Sequence, residues 1–296
     1  MLAGLVDAVA SLRHRIGAGD DPWCGIVEGL VLGLMAQWRL RSTGEPALAG
    51  YGGICVPVIR DDSTPAMLKV SRVEAPRDVE NEVLARWGGR DAVRLLERDD
   101  ERHARLLARL GPHTLTESVD PVGAMEVAGR LAARLAVSPP PGLPRLDAIA
   151  AEVADTIDRS TAAQRAVLTA ADVRAAATVF RQFGTDQPET LLHGDLQGSN
   201  VLRDAEGGWV VIDPLGMVGE PALEALTMLR DRWSQLPSSA SPRRQLLRRL
   251  HAFADAAAAP RERVVAWTHA RCVRAVVDGV ADDRGLHAWT ARQLGA

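Results

Sequence analysis

The sequence predicts an α+β, two-lobed architecture with a small strand-rich N-lobe and a larger helical C-lobe, and three observations carry that prediction. Apolar residues alternate at Ile54, Val56 and Val58 and return in the run Ala66 to Val70, after the turn-forming Asp61-Asp62-Ser63-Thr64-Pro65, as in a hairpin. The dipeptide Gly111-Pro112 closes this strand-rich region. Helical patterning dominates from there until about residue 190. Residues 1–110, which include leading helices, are therefore expected to form the first lobe and residues 111–296 the second, in a chain long enough for both.

Element by element, the first 45 residues read largely as helix, with Ile26, Leu30, Leu34 and Trp38 spaced to share a core-facing side. The hairpin follows, then a helical stretch from Arg77 to Trp87. Two further strand candidates, Val93 to Glu97 and Arg105 to Arg109, are joined by the charged loop Asp99 to Arg102. In the second lobe the breaker Pro139-Pro140-Pro141-Gly142 interrupts the helices. A short strand at Leu191, a hairpin from Asn200 to Asp213 turned at Gly207-Gly208, and helices to the end complete the pattern. The pairs Arg243-Arg244 and Arg248-Arg249 read as a solvated helix face.

Composition narrows the function classes. A formal net charge of −3, from 35 basic and 38 acidic residues, gives no global basic field of the kind nucleic-acid binding needs. Cys24, Cys55 and Cys272 are odd in number, widely separated and without metal-ligand spacing, which speaks against a disulfide framework or a zinc site and for a reducing compartment. The apolar run Gly25 to Trp38 is short and broken by Glu28, and the start lacks the features of a cleavable leader. A cytoplasmic protein without a membrane span is expected.

The chemistry concentrates in His193-Gly194-Asp195-Leu196-Gln197-Gly198-Ser199-Asn200 and in Asp213 of Ile212-Asp213-Pro214. Asp195 follows the apolar Leu191-Leu192, so a buried strand would present it on a loop, where it could accept the proton of an attacking hydroxyl. Five residues on, Asn200 can offer a carbonyl oxygen to a metal. The run Trp209-Val210-Val211-Ile212 would deliver Asp213 to the same cleft. One amide and one carboxylate suffice for a magnesium ion that also keeps waters and nucleotide phosphates. Each residue alone could be a turn, a cap or a strand end; jointly their spacing fits phosphoryl transfer to a small molecule. His193 is expected to hold the loop in shape.

Lys69 stands in the apolar strand Ala66-Met67-Leu68-Lys69-Val70, where an unpaired ammonium is costly. Nucleotide phosphates and Glu82, on the helix that follows, are the expected partners, with Glu80 the alternative.

These segments resemble the aminoglycoside phosphotransferases, in particular the branch of streptomycin 6-kinases and hydroxyurea phosphotransferases. The likeness runs through Leu191 to Leu202, Lys69, Trp38 to Leu40 with Gly44-Glu45-Pro46, Pro140-Pro141-Gly142-Leu143, and Ile212-Asp213-Pro214 with Val218-Gly219-Glu220-Pro221. The resemblance implies a eukaryotic-like (protein-kinase-like) fold, ATP and magnesium (Mg2+) as cofactors, and a small-molecule hydroxyl as acceptor. By the same resemblance Asp195 is the catalytic aspartate, Asn200 and Asp213 are the magnesium ligands, and Lys69 contacts phosphate. Backbone groups around Leu107 to Leu110 would hold adenine. Two departures stand out: Gln197 occupies a position where many relatives carry His, and Gly50, Gly52 and Gly53 lack the spacing of a kinase phosphate loop.

An aminoglycoside such as streptomycin is the leading acceptor, which makes antibiotic inactivation the expected role. Hydroxyurea, another antibiotic or a metabolite is the alternative, and a non-catalytic drug- or nucleotide-binding protein the reading from a different class. A polycationic acceptor calls for carboxylates at the cleft mouth. The candidates are Glu220, Glu224, Asp231, Asp278, Asp282 and Asp283. Asp278 comes first among them, because the helix from Trp267-Thr268 to Asp278-Gly279 resembles the C-terminal helix of the streptomycin kinases.

Overall fold

The computed structural model describes residues 4–16, 21–50, 52–72, 79–282 and 285–295. The chain divides into two compact units, Met1–Gly111 and Pro112–Ala296.

Unit 1 runs α1 (Leu5–Ile16), α2 (Pro22–Gln37), β1 (Arg41–Ser42), β2 (Leu48–Ala49), β3 (Gly53–Ile59), β4 (Pro65–Ser71), α3 (Glu80–Trp87), β5 (Leu95–Asp99) and β6 (Ala104–Ala108). The strands form one antiparallel sheet in the order β1-β3-β4-β6-β5, with β2 also paired to β3. In the β3–β4 hairpin Ile54 faces Val70, Val56 faces Leu68 and Val58 faces Ala66. Side chains alternate across a strand, so these six share one face. That face packs on Leu5 and Leu12 of α1 and on Val27, Val31 and Leu34 of α2. The other face of β4 carries Lys69, whose cross-strand neighbour on β6 is Arg105.

The structure revises the reading of α2. Its buried stripe is Cys24, Val27, Val31, Leu34 and Met35, and Ile26 is 57% exposed. The helix is apolar on nearly every side, with Gly25, Gly29 and Gly33 exposed, so periodicity did not mark the face that packs. It stops at Gln37, and the chain enters β1 before residue 45. Of the helix expected from Arg77, the structure shows α3 from Glu80; Arg77 and Asp78 lie outside the described residues.

Unit 2 contains α4 (Leu115–Ser118), α5 (Pro121–Leu135), α6 (Leu146–Arg159), α7 (Ala170–Phe183), β7 (Thr190–Leu192), β8 (Val201–Arg203), β9 (Trp209–Val211), β10 (Met217–Gly219), α8 (Ala225–Leu229), α9 (Pro242–Ala256), α10 (Arg261–Val277) and α11 (Leu286–Leu294). Helix starts follow local chemistry. The Asp120 carboxylate accepts the N–H groups of Val122 and Gly123 ahead of α5, and Thr169 with Asp172 forms a capping box on α7. Trp267 of α10 is fully buried, with its ring edge-on to Phe180 at 5.3 Å. The expected hairpin appears as β8–β9, with Val201 opposite Val211. Strand β10, which pairs with β7, was not anticipated. Arg249 does not join the solvated face: it is buried, and its guanidinium donates to the Arg232 carbonyl at 3.4 Å. Among the described residues no helix is long and apolar enough to cross a membrane.

Candidate active site

In unit 2 the loop after β7 is built around His193. Its Nε2 donates to the Ile212 carbonyl at 2.8 Å, while its Nδ1 accepts the Asp195 N–H at 3.2 Å. These two bonds fix a neutral imidazole with the proton on Nε2. The His193 carbonyl accepts from Leu215 and Gly216. This buried histidine therefore ties the Asp195 loop to the segment that carries Asp213, the scaffolding role expected of it. Gly194 adopts φ +85°, a left-handed conformation that glycine takes without steric cost, and this turns the chain back under Asp195.

Asp195 and Asn200 come together directly. The Asn200 Nδ2 donates to the Asp195 backbone carbonyl at 3.0 Å and to its carboxylate Oδ2 at 3.1 Å. Gln197 Nε2 donates to the same Oδ2 at 3.0 Å. Burial pushes the Asp195 carboxyl above the ordinary carboxylate range; the Asn200 hydrogen bond and the charges of Arg230 and Arg271 pull it down, and the nearby Asp213 pushes it up. Asp213 itself sits at φ +56°, in the left-handed region that aspartate tolerates better than most residues, and the preceding Ile212 N–H is anchored on the Asn200 carbonyl at 2.9 Å. Asp195, Asn200 and Asp213 thus form one constellation.

The donor set suits magnesium. The Asn200 nitrogen is committed to Asp195, which leaves its amide oxygen to a metal, and Asp213 adds a carboxylate, so both are hard oxygen ligands. Among the described residues no cluster of three or more His, Cys, Asp or Glu side chains forms a complete cage.

Two residues that the sequence does not mark as holding the loop, Glu224 and Gln197, also do so. Glu224 was considered only as a substrate carboxylate. It is buried, and its Oε1 accepts the Gly194 N–H at 2.9 Å. Burial pushes its carboxyl up against the opposing effects of the backbone N–H groups and Arg271. A lone acid in the apolar run Ala222-Leu223-Glu224-Ala225-Leu226 was the available signal. Gln197 was noted only as a departure from relatives.

In unit 1 the Lys69 ammonium meets both oxygens of Glu80, at 2.8 and 3.0 Å. Arg105 also donates to Glu80, and its Nε donates to the Asn81 side-chain oxygen at 2.6 Å. Two cations directly opposite on neighbouring strands repel, and Glu80 between them removes that penalty. Of the two acids that the sequence leaves open for Lys69, Glu80 is the one the structure brings to it; Glu82, two positions on and about 200° around α3, is half-buried. Leu107 lies inside the sheet, paired with Met67 on one side and Leu95 on the other, whereas Leu110 lies past the end of β6.

The expected substrate carboxylates have internal partners. Glu220 is buried and accepts from Arg263 Nε at 2.6 Å and from the indole N–H of Trp267. Asp231 accepts from Thr116 Oγ1 and from the Gly198 N–H, both at 2.7 Å. Asp278 caps the exposed end of α10 and pairs with Arg274 at 2.5 Å. Asp282 accepts the N–H groups of Leu286 and His287 at 2.6 and 2.9 Å. Asp283 lies outside the described residues. Glu220→Ala should therefore cost about 1–3 kcal/mol in denaturant unfolding, because it orphans the Arg263 and Trp267 donors, and should leave the acceptor KM unchanged.

A family model described as aminoglycoside/hydroxyurea antibiotic resistance kinase matches residues 37–283. The chain belongs to this family. It is a small-molecule phosphotransferase with a protein-kinase-like fold, and membership of a kinase family implies use of a nucleotide. It is 30% identical over 294 residues to a streptomycin 6-kinase of Streptomyces griseus, covering 97% of this chain and 94% of that one. It is 34% identical over 230 residues to a hydroxyurea phosphotransferase of Kitasatospora aureofaciens, covering 74% and 65% respectively. Among solved structures, a macrolide 2'-phosphotransferase of Brachybacterium faecium aligns with a TM-score of 0.56 at 16% identity, covering 90% of this chain and 97% of that one.

Proposed function

We propose that this kinase transfers the γ-phosphoryl group of ATP to a hydroxyl of a small molecule, with an aminoglycoside of the streptomycin type as the leading acceptor. The constellation of Asp195, Asn200 and Asp213 carries this reading. The Asp195 carboxylate, its Oδ2 held by Gln197 and Asn200, takes the proton of the acceptor hydroxyl as that oxygen bonds to the γ-phosphorus and the bond to the β-phosphate oxygen breaks. Its upward-shifted pKa makes it a better proton acceptor than an exposed aspartate. Asn200 and Asp213 would hold the magnesium, which when bound neutralises charge on the phosphates. Lys69, positioned by Glu80, would contact the phosphates, and the backbone from Leu107 to Leu110 would meet adenine at the Leu110 end. In this reading unit 1 binds the nucleotide, while unit 2 carries the catalytic loop and the acceptor.

A specific observation favours a second acceptor. Glu220 and Asp231 accept hydrogen bonds from within the protein and the exposed Asp278 is paired with Arg274, which leaves these three carboxylates less available to a polycation and suits a neutral acceptor such as hydroxyurea. One experiment tests both readings: streptomycin, other aminoglycosides and hydroxyurea are incubated with ATP, magnesium and protein and analysed by mass spectrometry. Streptomycin should gain the mass of one phosphate; gain by hydroxyurea alone would select the second reading, and no gain by any of them would reject both.

A further inference from the structure

The short turn Gly198–Asn200, which carries the proposed metal ligand, is held from outside by a clamp that phosphoryl transfer does not itself require. The Asp231 carboxylate, just beyond α8, places Oδ2 2.7 Å from the Gly198 nitrogen and 2.7 Å from Thr116 Oγ1 of α4, so that one oxygen accepts both hydrogens. The fit around Gly198 is close. A Cβ there would lie 2.2 Å from Asp231 Oδ2 and 2.4 Å from Thr116 Oγ1, so any side chain pushes the clamp open. Arg232, the next residue, adopts φ +53° and donates from its guanidinium to the Thr116 carbonyl, which fixes the same junction a second time. Within the turn, the Asn200 N–H donates to the Gln197 carbonyl at 2.9 Å. The backbone that Asp231 pins at Gly198 is thus two residues from Asn200 and one from Gln197, the two residues whose amides hold the Asp195 carboxylate.

We propose that Asp231 is a positioning residue whose carboxylate sets the Gly198–Asn200 turn, and with it the amide oxygen that Asn200 offers to the divalent ion. The proposal rests on the reading of Asn200 as a magnesium ligand. Groups that orient metal ligands from behind commonly change metal affinity by about 10–100-fold when removed.

The test measures Mn2+ binding by electron paramagnetic resonance, on the full chain with ADP present, for the wild type and for Asp231→Ala, Asp231→Asn, Gly198→Ala and Asn200→Ala. Asp231→Ala and Gly198→Ala should each weaken Mn2+ binding by about tenfold or more, with ADP affinity in the absence of metal unchanged. Asp231→Asn keeps an acceptor oxygen for the Gly198 N–H and should recover most of the wild-type affinity, which a general loss of stability would not do. If Asn200→Ala alone weakens Mn2+ binding and the clamp variants bind it as the wild type does, the positioning role is overturned. If Asn200→Ala binds Mn2+ normally, the metal-ligand reading fails instead, and the proposal with it. Should Asp231→Ala not fold, Gly198→Ala and Asp231→Asn decide the matter by the same criteria.

Discussion

Asp195→Ala is expected to lower turnover by roughly a hundredfold or more while leaving nucleotide binding largely intact. The side chain is half-buried at the tip of the loop after β7, where Gln197 and Asn200 orient its Oδ2. Removing it deletes the proton acceptor and none of the phosphate or adenine contacts. Steady-state kinetics and nucleotide titration of the variant check this, and full turnover without the carboxylate would remove Asp195 from the mechanism. The acid limb of the pH–rate profile supplies an independent readout. An ordinary aspartate titrates near about 3.9. Burial raises the Asp195 value, so the carboxylate is protonated and lost as a base at a higher pH than that, and activity should fall there. The same shift has a sign for stability. A carboxyl with a raised folded-state pKa contributes most below its unfolded value, and that contribution disappears as pH rises through the folded value. Asp195→Asn keeps an acceptor for the two amides and removes the buried charge, so its melting temperature at neutral pH should exceed that of the wild type.

Glu80→Ala is expected to destabilise unit 1 by about 3–5 kcal/mol, as happens when one member of a buried ion pair is removed. Lys69, Glu80 and Arg105 are all buried, and Lys69 and Arg105 lie opposite each other on β4 and β6. Without the shared carboxylate the two cations face each other in a low-dielectric sheet face. Lys69→Met removes one cation instead and leaves Arg105 paired with Glu80, so it should cost less stability than Glu80→Ala and yet abolish most activity. Urea unfolding of the two variants alongside activity assays checks this contrast. Equal destabilisation by both would mean that Lys69 serves chiefly to neutralise Glu80.

Much of the fold and of the site was legible because local chemistry and position agree there. The alternation at Ile54, Val56 and Val58 and the turn after it specify a hairpin whose register the structure shows. The loop from His193 to Asn200 and the run ending at Asp213 announce their clustering through spacing and flanking apolar strands. Other features depend on which neighbours a segment meets. Glu80 and Glu82 are chemically identical, and only the docking of α3 selects one of them. The buried face of α2 was hidden because nearly every side of that helix is apolar. The acids expected at the substrate are indistinguishable in sequence from structural ones; Arg263 and Trp267 claim Glu220 from α10, and Thr116 claims Asp231 across 115 residues. Strand β10 is three residues long and too short to show a period.

A crystal structure of the protein with magnesium and ADP tests the convergence of Asn200 and Asp213 most directly. The amide oxygen of Asn200 and the carboxylate of Asp213 should both lie about 2.1 Å from one magnesium ion that also binds the nucleotide phosphates, with Asp195 beside it and outside its coordination sphere. An ion held on the phosphates with neither side chain in its coordination sphere would contradict it.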